Sequence, residues 1–381
     1  MNGNQRLFLS PPHMSGHELK FVNAAFDSNW IAPAGPDIEA FENELCKYTG
    51  AANAVALSSG SAAIHLALQV SGVKPGDDVY CSSFTFAGSA FPITYLQANP
   101  VFIDSEKCSW NMDPNLLRDA LKERTRIGKK PGAVIVVHLY GQSANIIEIK
   151  SICKEFDTLL IEDAAESIGA FFDTKMTGTI GNYGIYSFNG NKIITTSGGG
   201  MLVGQEKEKI EKARFLSTQA RDPNPFYQHT SIGYNYRMSN VLAAIGRGQL
   251  TVLENRVDKR RENYDYYKKS LSELDCVTII PRDVYGRGNC WLTCIVLDSK
   301  KSNITPEDLR ISLEKENIES RPLWKPMHLQ PIFSGYEAFV SGCSEQLFNS
   351  GLCLPSGTAI SAADLERVVS IIKKLLLKQI R

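Results

Sequence analysis

The sequence predicts an α/β protein with a mostly parallel sheet and a second, smaller α/β unit behind it, and three observations carry that prediction. From about residue 50 to residue 250, short apolar runs end in small or polar residues and hand over to helical patterns, the rhythm of strands feeding crossover helices. A long helical stretch follows from Met238 to about Leu274, and beyond it CVTIIP, CWLTCIVL and two further helical segments form a shorter α/β pattern. At 381 residues the chain exceeds the size at which one hydrophobic core stops growing. The expected domains are 1–250, a large domain that includes an N-terminal loop segment, and 251–381, a small C-terminal one.

In chain order, Ala54 to Leu57 reads as a strand, SSG as its turn and SAAIHLALQVSG as a helix ended by Gly72. Val79 to Ser82, Pro100 to Ile103, Ala133 to His138 and Thr158 to Ile161 read as further buried strands. Each ends in a turn or polar residue. In open α/β sheets the carboxyl ends of the strands form the ligand crevice, so those residues are candidates for chemistry. The charge run Asp258 to Glu262 reads as the solvated face of the long helix, and helical segments are expected near 305–317 and 362–380.

The composition, 43% hydrophobic and 22% charged, is that of a globular enzyme rather than a disordered or fibrous chain. Lys plus Arg and Asp plus Glu number 41 each, so no net field holds the protein on nucleic acid or an anionic membrane. MNGNQRLFLSPPHMSGHE contains no apolar run of signal-peptide length, and no stretch approaches the roughly 20 apolar residues of a membrane span. A cytoplasmic protein without nucleic-acid or membrane partners is expected. The nine cysteines are scattered without a CxxC pair, and Cys290 and Cys294 sit at same-face strand spacing, which suits packing. Reduced thiols and no metal site are expected.

Three segments carry chemistry. In AVALSSGSAAIHLAL a strand passes through Ser59-Gly60-Ser61 into a helix whose first amides are unpaired, a place for a phosphate or a plain connection. It has neither GxGxxG nor Walker spacing, which argues against a dinucleotide or nucleoside triphosphate. In TLLIEDAAESIGA an apolar strand runs into Glu162 and Asp163 beside the crevice. An Asp there either caps the next helix or needs a cation, because an unpaired buried carboxylate is costly. In GIYSFNGNKIITTSGGGMLV a glycine-containing turn after Ser187 presents Lys192 among small, apolar and hydroxylic neighbours. A lone lysine is ordinarily a solvated charge, but one kept away from other charges can shed its proton and act as an amine.

Together these segments resemble the DegT/StrS family of sugar-nucleotide aminotransferases, a branch of the fold-type I pyridoxal-phosphate enzymes, in order and spacing across nearly the whole chain. SPPHMSG, SNWIAP, EDAAES, SFNGNKIITTSGGGML, SRPLWKPMH and LPSG resemble most its UDP-N-acetylbacillosamine transaminase branch. The resemblance implies a mostly parallel seven-stranded sheet in the large domain, and pyridoxal 5'-phosphate carried on Lys192 with Asp163 against the ring nitrogen. It implies that Ser187, Gly60 and Ser61 hold the phosphate, that Phe86 stacks on the ring, and that Glu166 stands near the phenolic oxygen where many members have Gln or His. Asn235 would reach the cofactor phosphate of a partner subunit in a homodimer. Arg237, Arg321, Trp324, Lys325 and His328 would face the substrate, Arg and Lys suiting a diphosphate and Trp a flat base or sugar.

The implied reaction moves the amino group of L-glutamate to C4 of a UDP-linked 4-keto-6-deoxy-N-acetylhexosamine, leaving 2-oxoglutarate, for a surface glycan or glycoprotein. The alternatives are a C3, GDP-linked or dTDP-linked aminotransferase of the same family and a non-catalytic scaffold of the same fold. Dehydratases of related fold carry histidine in place of the lysine, and Lys192 argues against them.

Overall fold

In the computed structural model, which describes residues 5–377, apolar runs collect into one large sheet. Its strands are β1 (Asn53–Leu57), β2 (Asp78–Ser82), β3 (Asn99–Ile103), β4 (Pro131–Val137) and β5 (Leu159–Asp163), with β8 (Tyr183–Ser187) and β9 (Gly200–Gly204) after a small hairpin, β6 (Phe171–Phe172) and β7 (Lys175–Met176). A second sheet comprises β10 (Val277–Ile279), β11 (Thr293–Leu297), β12 (Arg321–Pro322) and β14 (Gly351–Leu354); β13 (Ala338–Phe339) belongs to the first.

The large sheet runs β1-β9-β8-β5-β4-β2-β3-β13. All of its pairs are parallel except those of β9, which runs against both β1 and β8. Seven strands were expected, and seven form the body of the sheet; the eighth, β13, is two residues added in parallel to β3 from the C-terminal part of the chain. The five expected strands occur at the expected places. Their burial explains why: β2 is buried at every position and β4 over its last five, so continuous rather than alternating apolarity is required.

Helices cover both faces. The helix Gly60–Val70 is apolar nearly all round because it is enclosed by the sheet, the helix Lys207–Ser217 and the helix Ala87–Tyr95. It cannot tilt without disturbing all three, so its N-terminus is a fixed point. Two glycines seal that end: a Cβ on Gly200 would lie 2.4 Å from the Ser59 carbonyl carbon and 2.5 Å from the Gly60 nitrogen, and one on Gly88 would lie 3.1 Å from Ser61 Oγ.

The expected long helix is two, Asn240–Leu250 and Leu253–Ser270, broken at Thr251 and Val252. Its charge run is not uniformly solvated. Arg260 is 1% exposed, turned inward and bonded to the carbonyls of Trp291 and Ser356 and to Ser10 Oγ. The helices expected near 305–317 and 362–380 are Pro306–Lys315 and Ala362–Leu377, the end of the latter expectation lying outside the described residues. An N-terminal strap crosses to the second sheet, Leu7 bridging to Ile318 and the Ser356 amide donating to the Leu9 carbonyl at 2.8 Å. Among the described residues all nine cysteines are free, no His/Cys/Asp/Glu cluster has metal-site geometry, and no helix is long and apolar enough to cross a membrane.

Gly200→Ala should lower stability by about 1–3 kcal/mol, the usual cost of forcing atoms into a packed site, because the obstruction is backbone and not a movable side chain. A thermal unfolding midpoint equal to that of the parent would show that β9 can retreat from the helix.

Candidate active site

The carboxyl ends of β4, β5 and β8 and the N-terminus of the helix Gly60–Val70 surround a cavity of about 300 Å³. Gly60, Ser61, Phe86, Asp163, Glu166, Ser187, Lys192 and Trp324 all line it. Residues drawn from positions 60 to 324 therefore meet at one place.

One end is built for an anion. Ser59 caps the helix, its Oγ accepting from the Ala62 amide at 3.1 Å, which leaves the preceding amides of Gly60 and Ser61 directed outward. Ser187 stands beside them, at 3.4 Å (Cβ) and 3.7 Å (Oγ) from where a Gly60 Cβ would be. Two hydroxyls and a helix terminus thus face the same volume.

The floor is Asp163, last residue of β5 and 5% exposed. Its Oδ2 accepts from Ser89 Oγ at 2.7 Å and its Oδ1 from the Ala165 amide at 3.1 Å. Thr85 Oγ1 lies 2.7 Å from Ser89 Oγ and, since that proton is committed to Asp163, acts as the donor. No lysine, arginine or histidine pairs with Asp163 among the described residues. A buried carboxylate with hydrogen bonds but no countercharge is a ready partner for a cation entering the cavity.

Glu162 does not join it. Successive strand residues face opposite ways, and Glu162 points to the far side, accepting from His138 Nε2 at 2.9 Å, the Gly178 amide at 2.8 Å and the Ile180 amide at 2.6 Å. The Ala144 amide donates to His138 Nδ1, so His138 carries its proton on Nε2 and donates it to Glu162. The pair braces the sheet beneath the cavity.

Lys192 reaches in from the loop between β8 and β9. Its Nζ lies 3.5 Å from Glu166 Oε1 and 4.1 Å from the centre of the Trp291 ring. Glu166 Oε2 accepts from the Tyr140 amide at 2.7 Å. Tyr140 is fully buried at φ 52°, a left-handed conformation costing about 1 kcal/mol or more in a non-glycine residue, and its ring lies between Trp291 and Trp324. Its hydroxyl accepts from the Trp324 amide at 3.0 Å, and Phe86, 56% exposed, closes the rim 5.5 Å from Trp324.

The remaining expected residues lie elsewhere in this chain. Asn235 is exposed and hydrogen-bonded to Gln219. Arg237, expected to face substrate, is instead paired with Glu42 at 2.5 Å and bonded to the Ala56 carbonyl, because Glu42 is buried and needs its charge met. His328, also expected at the substrate, is tied by Nδ1 to Ser83 Oγ at 2.6 Å, just past the carboxyl end of β2 and outside the cavity lining, and burial pushes its pKa down. Arg321 is 70% exposed, held by Glu319, and lines a second groove that shares Asn191, Trp291 and Trp324 with the cavity; Lys325 is exposed nearby. Sequence reasoning missed Ser89, Tyr140 and Trp291. Ser89 had a signal, three residues after Phe86 in the same helix start, whereas nothing in the sequence sets Tyr140 and Trp291 apart from other buried aromatics.

Burial holds the Glu166 carboxyl above the ordinary carboxylate range, against the opposing pull of Lys192 and of the Tyr140 amide. The folded protein then keeps a proton there that the unfolded chain releases, so this group makes stability fall as pH rises from the ordinary value towards the raised one. Glu166→Gln removes that slope. With no small molecule bound, the variant should gain stability relative to its parent as pH rises through that window, read by urea unfolding at a series of pH values; a pH-independent difference would contradict it.

The cavity combines an anion end, a buried carboxylate suited to a cation and a lysine amine, and the likeness to known proteins runs the length of the chain. EpsN of Bacillus subtilis (strain 168), a protein named as a candidate pyridoxal phosphate-dependent aminotransferase, is 51% identical over 377 residues, 98% of this chain and 96% of that one. The GDP-perosamine synthase of Caulobacter vibrioides is 33% identical over 377 residues, 99% of this chain and 100% of its own. The solved structure of the aminotransferase TlmJ from Streptoalloteichus hindustanus matches with a TM-score of 0.90 at 27% identity, covering 98% of this chain and 100% of that one. The profile of the DegT/DnrJ/EryC1/StrS aminotransferase family matches residues 12–373, and the chain belongs to that family.

Proposed function

We propose that this aminotransferase takes the amino group of L-glutamate and places it on C4 of a UDP-linked 4-keto-6-deoxy-N-acetylhexosamine, with Lys192 as the reacting amine. Family membership makes the chain a pyridoxal phosphate-dependent enzyme acting in sugar-nucleotide chemistry. The observation that carries the residue assignment is Asp163: a buried carboxylate without a cation among the described residues, lining the same cavity as an anion-binding helix end, fits a group with a phosphate at one end and a protonated ring nitrogen at the other.

Pyridoxal phosphate supplies an electron sink and a carbonyl carbon that ferries nitrogen between two substrates. The chain supplies the rest. The amides of Gly60 and Ser61 and the hydroxyls of Ser61 and Ser187 bind the phosphate, and Asp163, oriented by Ser89 and the Ala165 amide, holds the ring nitrogen protonated. Lys192 Nζ moves the proton that amino transfer requires between carbons, with Glu166 beside it as a second proton-holding group. Phe86 and Trp324 wall off water. Asn235, exposed and outside its own chain's cavity, serves the site of a partner in a homodimer, and Arg321 and Lys325 meet the nucleotide diphosphate at the mouth.

UDP rests on the resemblance of SRPLWKPMH and its companion blocks. A second reading has its own observation: the GDP-perosamine synthase relative, aligned over essentially its whole length, favours a GDP-linked 4-keto sugar.

Lys192→Ala should lose multiple turnover altogether, a fall of several orders of magnitude; appreciable turnover by that variant would remove Lys192 from the mechanism. In a competition among UDP-, GDP- and dTDP-linked 4-keto-6-deoxy sugars, the UDP substrate should win in kcat/KM by about tenfold or more, the scale that a few polar contacts give. Preference for the GDP sugar would favour the second reading. Trp324→Ala should slow the sugar half-reaction and spare that of glutamate, which is too short to need the outer wall; equal loss in both would make Trp324 a packing residue.

A further inference from the structure

The loop that presents Lys192 has no regular secondary structure, yet the peptide unit joining Asn191 to Lys192 is bonded on both sides. Its N–H donates to the Asn189 carbonyl at 3.0 Å, closing a turn. Its carbonyl accepts twice, from Ser10 Oγ at 2.7 Å and from Trp291 Nε1 at 2.9 Å. Those donors stand 181 and 100 residues away in sequence, on the N-terminal strap and at the entry to β11.

Both donors are fixed by one residue. Arg260 Nη2 donates to Ser10 Oγ at 2.9 Å, which commits the Ser10 proton to Asn191, and Arg260 Nη1 donates to the Trp291 carbonyl. Arg260 has no carboxylate partner among the described residues, and its Nη1 and Nη2 donors go to these neighbours. The Trp291 ring, anchored at Nε1, presents its face to Lys192 Nζ. The plane of this peptide sets the direction in which the Lys192 side chain leaves the backbone.

We infer that Ser10, Trp291 and Arg260 form a clamp on the Asn191 carbonyl, and that they are positioning residues which aim the Lys192 amine at the carbon it attacks. The strap and the second sheet thereby hold the lysine of the first. The inference rests on the reading of Lys192 as the reacting amine.

The test uses cofactor-free protein and two independent variants. Ser10→Ala removes one donor at the molecule's edge, and Trp291→Phe removes the other while keeping a ring. In each, amide exchange in the 188–196 peptide should speed up about fivefold, the factor one neutral hydrogen bond is worth, while β11 and β14 keep their protection. The rate at which added pyridoxal phosphate gains its lysine-bound visible absorbance should fall by a similar factor. Ser10→Thr, which retains the hydroxyl, should restore both. Unchanged exchange in both variants would overturn the clamp, and faster exchange with unchanged capture would overturn its positioning role. Failure of the parent protein to capture the cofactor on Lys192 would overturn the Lys192 reading, and this inference with it.

Discussion

A carboxylate buried at the end of a central strand, without a countercharge among the described residues, is the constraint around which this molecule is arranged. Asp163 ends β5, between β4 and β8, and its hydrogen bonds to Ser89 and Ala165 orient it without neutralising it. Burying such a charge costs stability, and a fold tolerates that cost where a ligand repays it. The other elements answer this demand: the helix end at Gly60 and Ser61 offers positive potential to an anion, and Lys192 lines the same cavity.

Rigidity comes from the layers behind the site. The helix Gly60–Val70 is enclosed on several sides and pressed against β9 where only glycine fits. Glu162 and His138 lock the reverse face of the strand that carries Asp163. Tyr140, held in a left-handed conformation between two tryptophans, lends its amide to Glu166 and its hydroxyl to Trp324. Preorganised groups of this kind need not be rearranged when charge moves during reaction.

The parallel strands were legible because continuous apolar runs between turns admit few other structures. The antiparallel placement of β9 and the addition of β13 were not, since both depend on partners remote in sequence. Gly60, Ser61, Asp163 and Lys192 could be found because each breaks an apolar pattern at a strand end and the motif order names its role. Arg237 and His328 carried equally suggestive chemistry, but the structure spends it on Glu42 and Ser83. Arg260 was hidden in a charge run whose inward member only packing reveals, and Trp291 was indistinguishable from core.

The central claim is that the amine carrying the cofactor is Lys192. Its most direct test is to reduce the holoenzyme with borohydride, digest it and locate the pyridoxyl group by peptide mass. The account predicts one modification, on the SFNGNK peptide at Lys192. A pyridoxyl group on another lysine, or none on a protein that is nonetheless an active aminotransferase, would contradict it.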